Sequence, residues 1–247
     1  MIILKSAREI ELMRKAGAIA AAALELAGGM VTPGVTTQSI DAAVRRFITG
    51  RGATPSFLHY NGYPASCCIS VDEQVIHGIP SGHTVLREGQ IVSIDVGACL
   101  DGYHGDCADT FACGAISPAA QRLIDVTRAS FYAGFAFAKE GFRLGDLGHA
   151  VQEYAQRHGY GVVYEYTGHG VGKALHEDPS VPNLGTPGHG LRLRRGMINE
   201  GTADIRMLDD GWTIVTSDGK LSAHYENTIL ITDGEPEILT PHDGGRA

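Results

Sequence analysis

Apolar residues recur at intervals of three and four along four stretches of the chain, which is the spacing of one face of an α-helix. In the first stretch Ile10, Met13 and Leu24 lie on such a face, and Ser6 with Glu9 forms a capping-box sequence at its start. The four predicted helices cover residues 7–27, 37–50, 118–139 and 144–158.

Short apolar runs between and after these helices predict strands, because they are brief, rich in branched residues and bounded by turn residues. The predicted strands cover residues 66–71, 90–98, 103–113, 162–166, 212–217 and 228–232. Helix pairs that alternate with strands predict a mixed α/β fold.

An internal repeat indicates two related halves. Residues 34–44 and 141–151 share apolar, glycine and small positions at a constant offset of 107 residues, and each segment begins at a glycine. Each segment follows a longer helix and precedes strand sequence. The interpretation is a duplicated α/β unit packed around one sheet within a single domain, and a chance likeness of two amphipathic helices is the alternative.

Composition narrows the functional classes without selecting one. The 247 residues are 43% hydrophobic and 19% charged, enough apolar material for a full core. The formal net charge of −8 argues against a surface for nucleic acid or anionic lipid. The charged N-terminal stretch does not fit a secretory signal, and no segment is long and apolar enough to predict a membrane span.

The cysteines point to a reducing compartment. Their number, five, is odd, and no Cys-x-x-Cys pair occurs. Reduced thiols in a cytoplasmic protein are therefore expected, rather than a disulfide framework.

The most informative stretch is a predicted β-hairpin with the turn Asp101-Gly102. With that turn Leu100 opposes Tyr103, and Asp95 and Asp106 become diagonal neighbours on one face. The first strand is apolar on both faces, so these aspartates are expected to be buried rather than solvated. Two converging buried carboxylates repel each other, and a divalent metal ion would compensate them.

Asp109 lies on the opposite face of the same strand from Asp106. It is therefore expected to be a surface or structural residue and not a ligand.

Histidines and one glutamate extend this set. His169 lies in a Gly-His-Gly-Val-Gly run, and His77 and His176 lie beside glycine or proline turns. Glu226 precedes the last apolar strand. Two aspartates, a histidine and a glutamate could hold two divalent ions and support amide hydrolysis, whereas a redox iron site would need a different ligand set.

These residues together resemble the type I methionine aminopeptidases, metallopeptidases of the pita-bread fold, over nearly the whole chain. The motifs that carry the resemblance are Tyr60-Asn61-Gly62-Tyr63-Pro64-Ala65-Ser66, His77-Gly78-Ile79-Pro80, Asp95, His104-Gly105-Asp106, Gly168-His169-Gly170-Val171-Gly172, His176-Glu177-Asp178-Pro179, Asp210-Gly211-Trp212 and Tyr225-Glu226-Asn227-Thr228. The resemblance implies two pseudo-symmetric α/β halves around a central, mostly antiparallel sheet, forming one domain over residues 1–247.

The resemblance also implies a role for each site residue. Asp95 would bind one metal ion, Asp106 and Glu226 would bridge two, and His169 would bind the second. The two ions would be cobalt, manganese, iron or zinc, and a single bound ion is the alternative. The residues implied to contact the substrate are His77 and His176 at the amide, which would be catalytic, and Tyr60, Tyr63, Cys68, Leu175 and Trp212 around the first side chain.

The chain departs from the family at one point. Members normally carry a further glutamate ligand in a Thr-Ile-Glu-Pro-Met-like strand after Gly-Met, but here Gly196-Met197 runs directly into Ile198-Asn199-Glu200. Counted from Gly-Met, Glu200 would lie on the same face of a strand as the family's glutamate but two residues earlier. Two residues correspond to a shift of roughly 6.6 Å along a strand. Replacement by Glu200 would require a local rearrangement.

Three functions follow as hypotheses. The first is a cytoplasmic, monomeric hydrolase that removes N-terminal methionine before a small second residue, acting on nascent polypeptides, with the ribosome as one setting. The second is an aminopeptidase that cuts before proline. The third is a weakened or non-catalytic binding protein that has lost one ligand.

Overall fold

The four predicted helices are present in the computed structural model, which describes residues 2–193, 201–203 and 205–242. They are α1 (Ala7–Gly29), α2 (Thr37–Thr49), α3 (Pro118–Phe135) and α4 (Leu144–Arg157). At the start of α1, the Ser6 side chain accepts from the Glu9 backbone N–H and the Glu9 side chain accepts from the Ser6 N–H, which confirms the capping box.

The prediction for α3 was four residues too long. After Phe135 the backbone N–H groups of Phe137 and Ala138 donate to carbonyls only three residues back, at 2.9 Å each, and the helix ends in this tighter turn. Apolar spacing continues through the turn, so the sequence pattern alone could not locate the end.

Strands in the described part of the chain form four antiparallel sheets. In chain order they are β1 (Thr54–Pro55), β2 (Cys68–Val71), β3 (Gln74–Ile76), β4 (Ile91–Leu100), β5 (Tyr103–Ala112), β6 (Val163–Gly170), β7 (Glu177–Val181), β8 (Gly201–Ala203), β9 (Ile205–Met207), β10 (Ile214–Thr216), β11 (Glu226–Asn227), β12 (Ile229–Leu230) and β13 (Glu237–Ile238). The largest sheet has the order β1-β4-β5-β11, with β2 also paired to β4.

The β4-β5 hairpin has the predicted register. Leu100 pairs with Tyr103, Asp95 with Ala108 and Gly97 with Asp106. The two turn residues have positive φ, 51° at Asp101 and 78° at Gly102, as a tight two-residue hairpin turn requires. Seven of the ten residues of β4 are buried and none is exposed, so the alternative of a solvated hairpin face is wrong.

Helices α1 and α2 cover one face of this hairpin. Leu24, Ile40 and Val44 pack with Ile94 and Val96 in a single buried cluster. The approach of α1 to β5 is so close that a β-carbon at Gly105 would lie 2.5 Å from the backbone of α1. Glycine is required there because the two backbones touch.

Helices α3 and α4 form the second pair and enclose another cluster. Leu147 and Val151 of α4 pack there with Val181 of β7 and Ile229 of β12. Within the described residues, no helix has the length and apolar content needed to cross a membrane.

Candidate metal centre

One cavity collects every residue that the sequence analysis placed in the site. Its volume is about 400 Å³. The predicted residues along its wall are Tyr60, Tyr63, Cys68, His77, Asp95, Asp106, His169, Leu175, His176, Trp212 and Glu226. These residues come from segments more than 150 positions apart, so their convergence on one cavity is a result of the fold.

A larger cavity of about 560 Å³ lies beside α3 and α4. Its wall is mainly apolar and hydroxyl-bearing, with residues such as Leu123, Phe131 and Ser222, and it lacks a cluster of acids. The candidate ligands and catalytic residues therefore line the smaller cavity.

Three carboxylates share one face of the sheet because of strand register. Ala108 on β5 lies directly opposite Asp95 on β4 and directly opposite Glu226 on β11. Directly opposed residues point to the same face, and Asp106 is two residues from Ala108 along the same strand. The small, fully buried Ala108 separates the acids on either side.

Burial and mutual repulsion make these acids costly to ionise. Burial first, and then the Asp106 carboxylate, raises the pKa of Asp95 well above its ordinary value. Burial raises the pKa of Asp106 to about 7. Burial, followed by Asp106 and Asp95, raises the pKa of Glu226 well above its ordinary value.

The unmet bonding capacity of these acids fits a divalent cation. Asp95 Oδ1 and Asp106 Oδ1 are buried and accept no hydrogen bond from the described residues. Two groups of residues could each bind an ion, because the potential ligand atoms within each group all lie within 4.8 Å of one another. The first group is Asp106, His169 and Glu226, and the second is Asp95, His224 and Glu226. Carboxylate oxygens with one imidazole are ligands that zinc, manganese, iron and cobalt accept.

His169 is presented as a neutral ligand. Its Nδ1–H donates to the Gly170 carbonyl at 3.0 Å, which leaves Nε2 free to bind, and Nε2 lies 4.0 Å from Asp106 Oδ2. Burial lowers the pKa of His169, so the imidazole is uncharged near neutral pH. The pairing of β6 with β7 is irregular at His169 and Gly170, where strand register shifts.

His224 is the site residue that the sequence analysis missed. It is buried, its Nε2 lies 3.2 Å from Glu226 Oε2, and burial lowers its pKa to about 4. The available signal was its spacing of two residues from Glu226, which places both on one face of an extended segment.

The other two predicted histidines, His77 and His176, line the same cavity. The ring of His176 lies 4.0 Å from that of His169, and its Nδ1 lies 2.9 Å from the Tyr60 hydroxyl. Burial, with smaller contributions from nearby histidines, lowers the pKa of His176 to about 4. His77 has a left-handed backbone with φ 59°, and burial lowers its pKa.

An apolar pocket adjoins the acids. Tyr63, Cys68 and Leu175 are buried in one cluster, against which Tyr60 and Trp212 pack. The Tyr63 hydroxyl donates to the Gly78 carbonyl at 2.9 Å, and its ring meets that of Trp212 edge to face at 5.0 Å. Because Cys68 pairs with Asp95 across β2 and β4, the pocket begins beside the carboxylates.

The position of Asp109 decides between the two roles expected for it, a surface residue or a structural one. It is not a surface residue, since it is only 1% exposed. Its Oδ2 lies 2.5 Å from Arg128 Nη2 and 3.7 Å from His242 Nδ1, so it is the structural residue that was the other possibility. Glu200, considered as a substitute ligand, lies outside the described residues.

Comparison with known proteins identifies the class. Residues 11–233 match the model of metallopeptidase family M24, and the chain belongs to that family. The methionine aminopeptidase of Clostridium acetobutylicum is 51% identical, covering 97% of this chain and 99% of its own. Methionine aminopeptidase 1 of Bacillus subtilis is 47% identical over 97% of this chain and 99% of its own.

A solved structure agrees with these relatives. The crystal structure of methionine aminopeptidase from Thermotoga maritima has a TM-score of 0.95 and 42% identity, covering 97% of this chain and 99% of that one. Within family M24 the chain groups with the methionine aminopeptidases of the pita-bread fold, as the resemblance implied.

Proposed function

We propose that this protein is a metal-dependent exopeptidase that releases methionine from the N-terminus of peptides with a small second residue. The observation that carries the proposal is the position of an apolar, aromatic pocket directly beside three converging carboxylates, of which Asp106 and Glu226 are buried and Asp95 is partly exposed. The near-full-length relatives named methionine aminopeptidases support the same reaction.

The pocket suits a methionine side chain. Tyr63 and Trp212 present aromatic surface, and Cys68 and Leu175 complete an apolar wall without a charged group. A thioether is flexible and gains from contact with aromatic rings, so it fills such a pocket well. A charged or strongly polar first residue would lose its hydration there without a partner.

The carboxylates and histidines supply the chemistry. Divalent ions held by Asp95, Asp106, His169 and Glu226 would act as Lewis acids on water and on the scissile carbonyl. A carboxylate of the cluster would accept the proton of the attacking water, as a general base positioned beside it. His77 and His176 would contact the substrate amide and the developing oxyanion.

The proposal includes two ions of cobalt, manganese, iron or zinc, with a single ion as the alternative. The free α-amine of the substrate would approach the same acids, which explains why cleavage is confined to the N-terminal residue. Nascent polypeptides in the cytoplasm are the proposed substrates, encountered at the ribosome or after release, and the enzyme is proposed to act as a single-domain monomer.

The test is methionine release from Met-Ala-Ser by protein loaded with Mn²⁺ or Co²⁺, with an X-Pro dipeptide as the competing substrate. We expect cleavage of the first peptide only, and its loss in Asp106→Asn. Asp125→Asn is the matched control, since Asp125 lies on exposed surface of α3. Folded, metal-loaded protein that releases no methionine would instead favour the binding-protein hypothesis, and preferential X-Pro cleavage would favour the second hypothesis.

A further inference from the structure

We propose that His224 is a metal ligand, so that each of the two ions is held by one imidazole and two carboxylates. His169 would serve the ion on the Asp106 side, and His224 the ion on the Asp95 side. This inference rests on the proposed metallopeptidase function. It assigns to the site a residue that is absent from the ligand set implied by the resemblance.

The ligand atoms on the Asp95 side are already close together. Nε2 of His224 lies 3.2 Å from Glu226 Oε2, and both lie within 4.8 Å of an Asp95 oxygen. Two ligands that bind one ion at about 2.1 Å lie roughly 3.0–3.4 Å apart, so the imidazole and the Glu226 carboxylate have the separation of two ligands of one ion.

The backbone holds His224 in this position. Its N–H donates to Thr110 Oγ1 at 2.8 Å, and the same hydroxyl donates to the His224 carbonyl at 2.9 Å. Thr110 is itself fixed by Ser93 across the hairpin, where the two hydroxyl oxygens are 2.8 Å apart. A ligand carried on such a fixed segment needs little ordering when an ion binds.

The Asp95 side also has an unmet acceptor. Asp95 Oδ1 is buried and has no hydrogen-bond partner among the described residues. His224 is only 7% exposed, and a ring nitrogen of it lies within 4.8 Å of an Asp95 carboxylate oxygen. A cation bound by both residues would give Asp95 Oδ1 the partner that a buried carboxylate oxygen needs.

The two sides have the same chemical composition. Each has an aspartate, a histidine and a share of Glu226. With His224 the pair of ions has five protein ligands, although the segment after Gly196-Met197 lacks the glutamate expected from the resemblance. His224 would therefore replace the missing glutamate in the count of five protein ligands, although it binds the ion on the Asp95 side rather than the one held by His169.

The competing interpretation is that His224 is a hydrogen-bond donor to Glu226 and no more. His224→Gln separates the two, because a glutamine amide can donate to Glu226 but is a poor ligand for these ions. His169→Gln is the comparison variant on the other side. His83→Gln is the matched control, since His83 is exposed and outside the cavity.

The experiment is calorimetric titration of the metal-free proteins with Mn²⁺, with the folded state of each variant checked by circular dichroism. We expect His224→Gln and His169→Gln each to lower the affinity for one Mn²⁺ ion at least tenfold. The double variant should lower the affinity for both ions. Loss of even an outer-shell partner typically costs 10- to 100-fold in affinity. His83→Gln should match the unmodified protein within twofold.

A second measurement uses the unmodified protein and so does not depend on whether a variant folds. Two equivalents of Zn²⁺ added to protein carrying ¹⁵N-labelled histidines should shift a ring nitrogen of both His169 and His224 in long-range ¹H–¹⁵N spectra. Mn²⁺ affinities within twofold of normal in His224→Gln, or an unshifted His224 ring, would overturn the inference. Methionine release would still stand in that case, whereas failure of the proposed function would appear as metal-loaded protein without peptidase activity.

Discussion

Replacing Asp106 by asparagine should stabilise the metal-free protein. Burial raises the pKa of this carboxyl from 3.8 to about 7. At 1.36 kcal/mol per pKa unit, that rise corresponds to about 4 kcal/mol of preference for the neutral form. Asparagine is neutral and nearly isosteric, so at pH 7.5 we expect Asp106→Asn to raise the free energy of unfolding by about 2–4 kcal/mol.

The sign of the pH dependence follows from the same shift. A carboxyl whose pKa is raised in the folded state is destabilising once the unfolded chain ionises, so its cost grows as pH rises from about 4 to about 7. The advantage of Asp106→Asn should therefore be absent at pH 3.5 and complete near pH 7.5. Urea unfolding in EDTA at both pH values measures it.

Metal should offset this difference in stability. Mn²⁺ at 100 times its dissociation constant should stabilise the unmodified protein by about 2.7 kcal/mol and leave Asp106→Asn nearly unchanged. Asp109→Asn is the control on the same strand, because Asp109 is paired with Arg128 and faces away from the acids. That variant should lose about 1–2 kcal/mol. Metal-free Asp106→Asn that is less stable than the unmodified protein at pH 7.5 would refute the reasoning.

Three further outcomes are expected. Binding of Mn²⁺ near pH 6.5 should release protons, because burial raises the pKa of Asp106 to about 7. The calorimetric heat of binding should then change with the ionisation enthalpy of the buffer, and a heat that is independent of the buffer would contradict this. Trp212→Ala should raise KM for Met-Ala-Ser at least tenfold with a smaller change in kcat, since Trp212 packs edge to face on Tyr63; an unchanged KM in peptide kinetics would argue against the pocket. Gly105→Ala should lower stability in urea by roughly 2 kcal/mol, because its β-carbon would lie 2.5 Å from the backbone of α1, whereas Gly29→Ala meets nothing within 4 Å and should be neutral.

The hairpin could be predicted because its determinants are local. Asp101-Gly102 specifies a two-residue turn, and the turn alone determines which residues oppose one another along both strands. The shared face of Asp95 and Asp106 then follows from counting. The helices were predictable for the same reason, since apolar spacing and the Ser6 cap act within a few residues.

Other features depend on contacts that no local pattern contains. The burial of Asp109 depends on Arg128, which reaches it from α3, and on His242 near the end of the described chain. His224 could be matched to Glu226 by spacing, but its closeness to Asp95 depends on two strand pairings across Ala108. A single sequence does not specify such non-local neighbours.

The position of Ala108 affects how natural sequence variants of this protein should be interpreted. It stands between Asp95 and Glu226 in one row across three strands, with no exposed surface. A valine there would keep every acid and every histidine, yet its extra methyl groups would occupy the space between the carboxylates. A comparison of gene variants that checks only the identity of the proposed ligands would classify such a gene as intact, although its product would have lost the space between them.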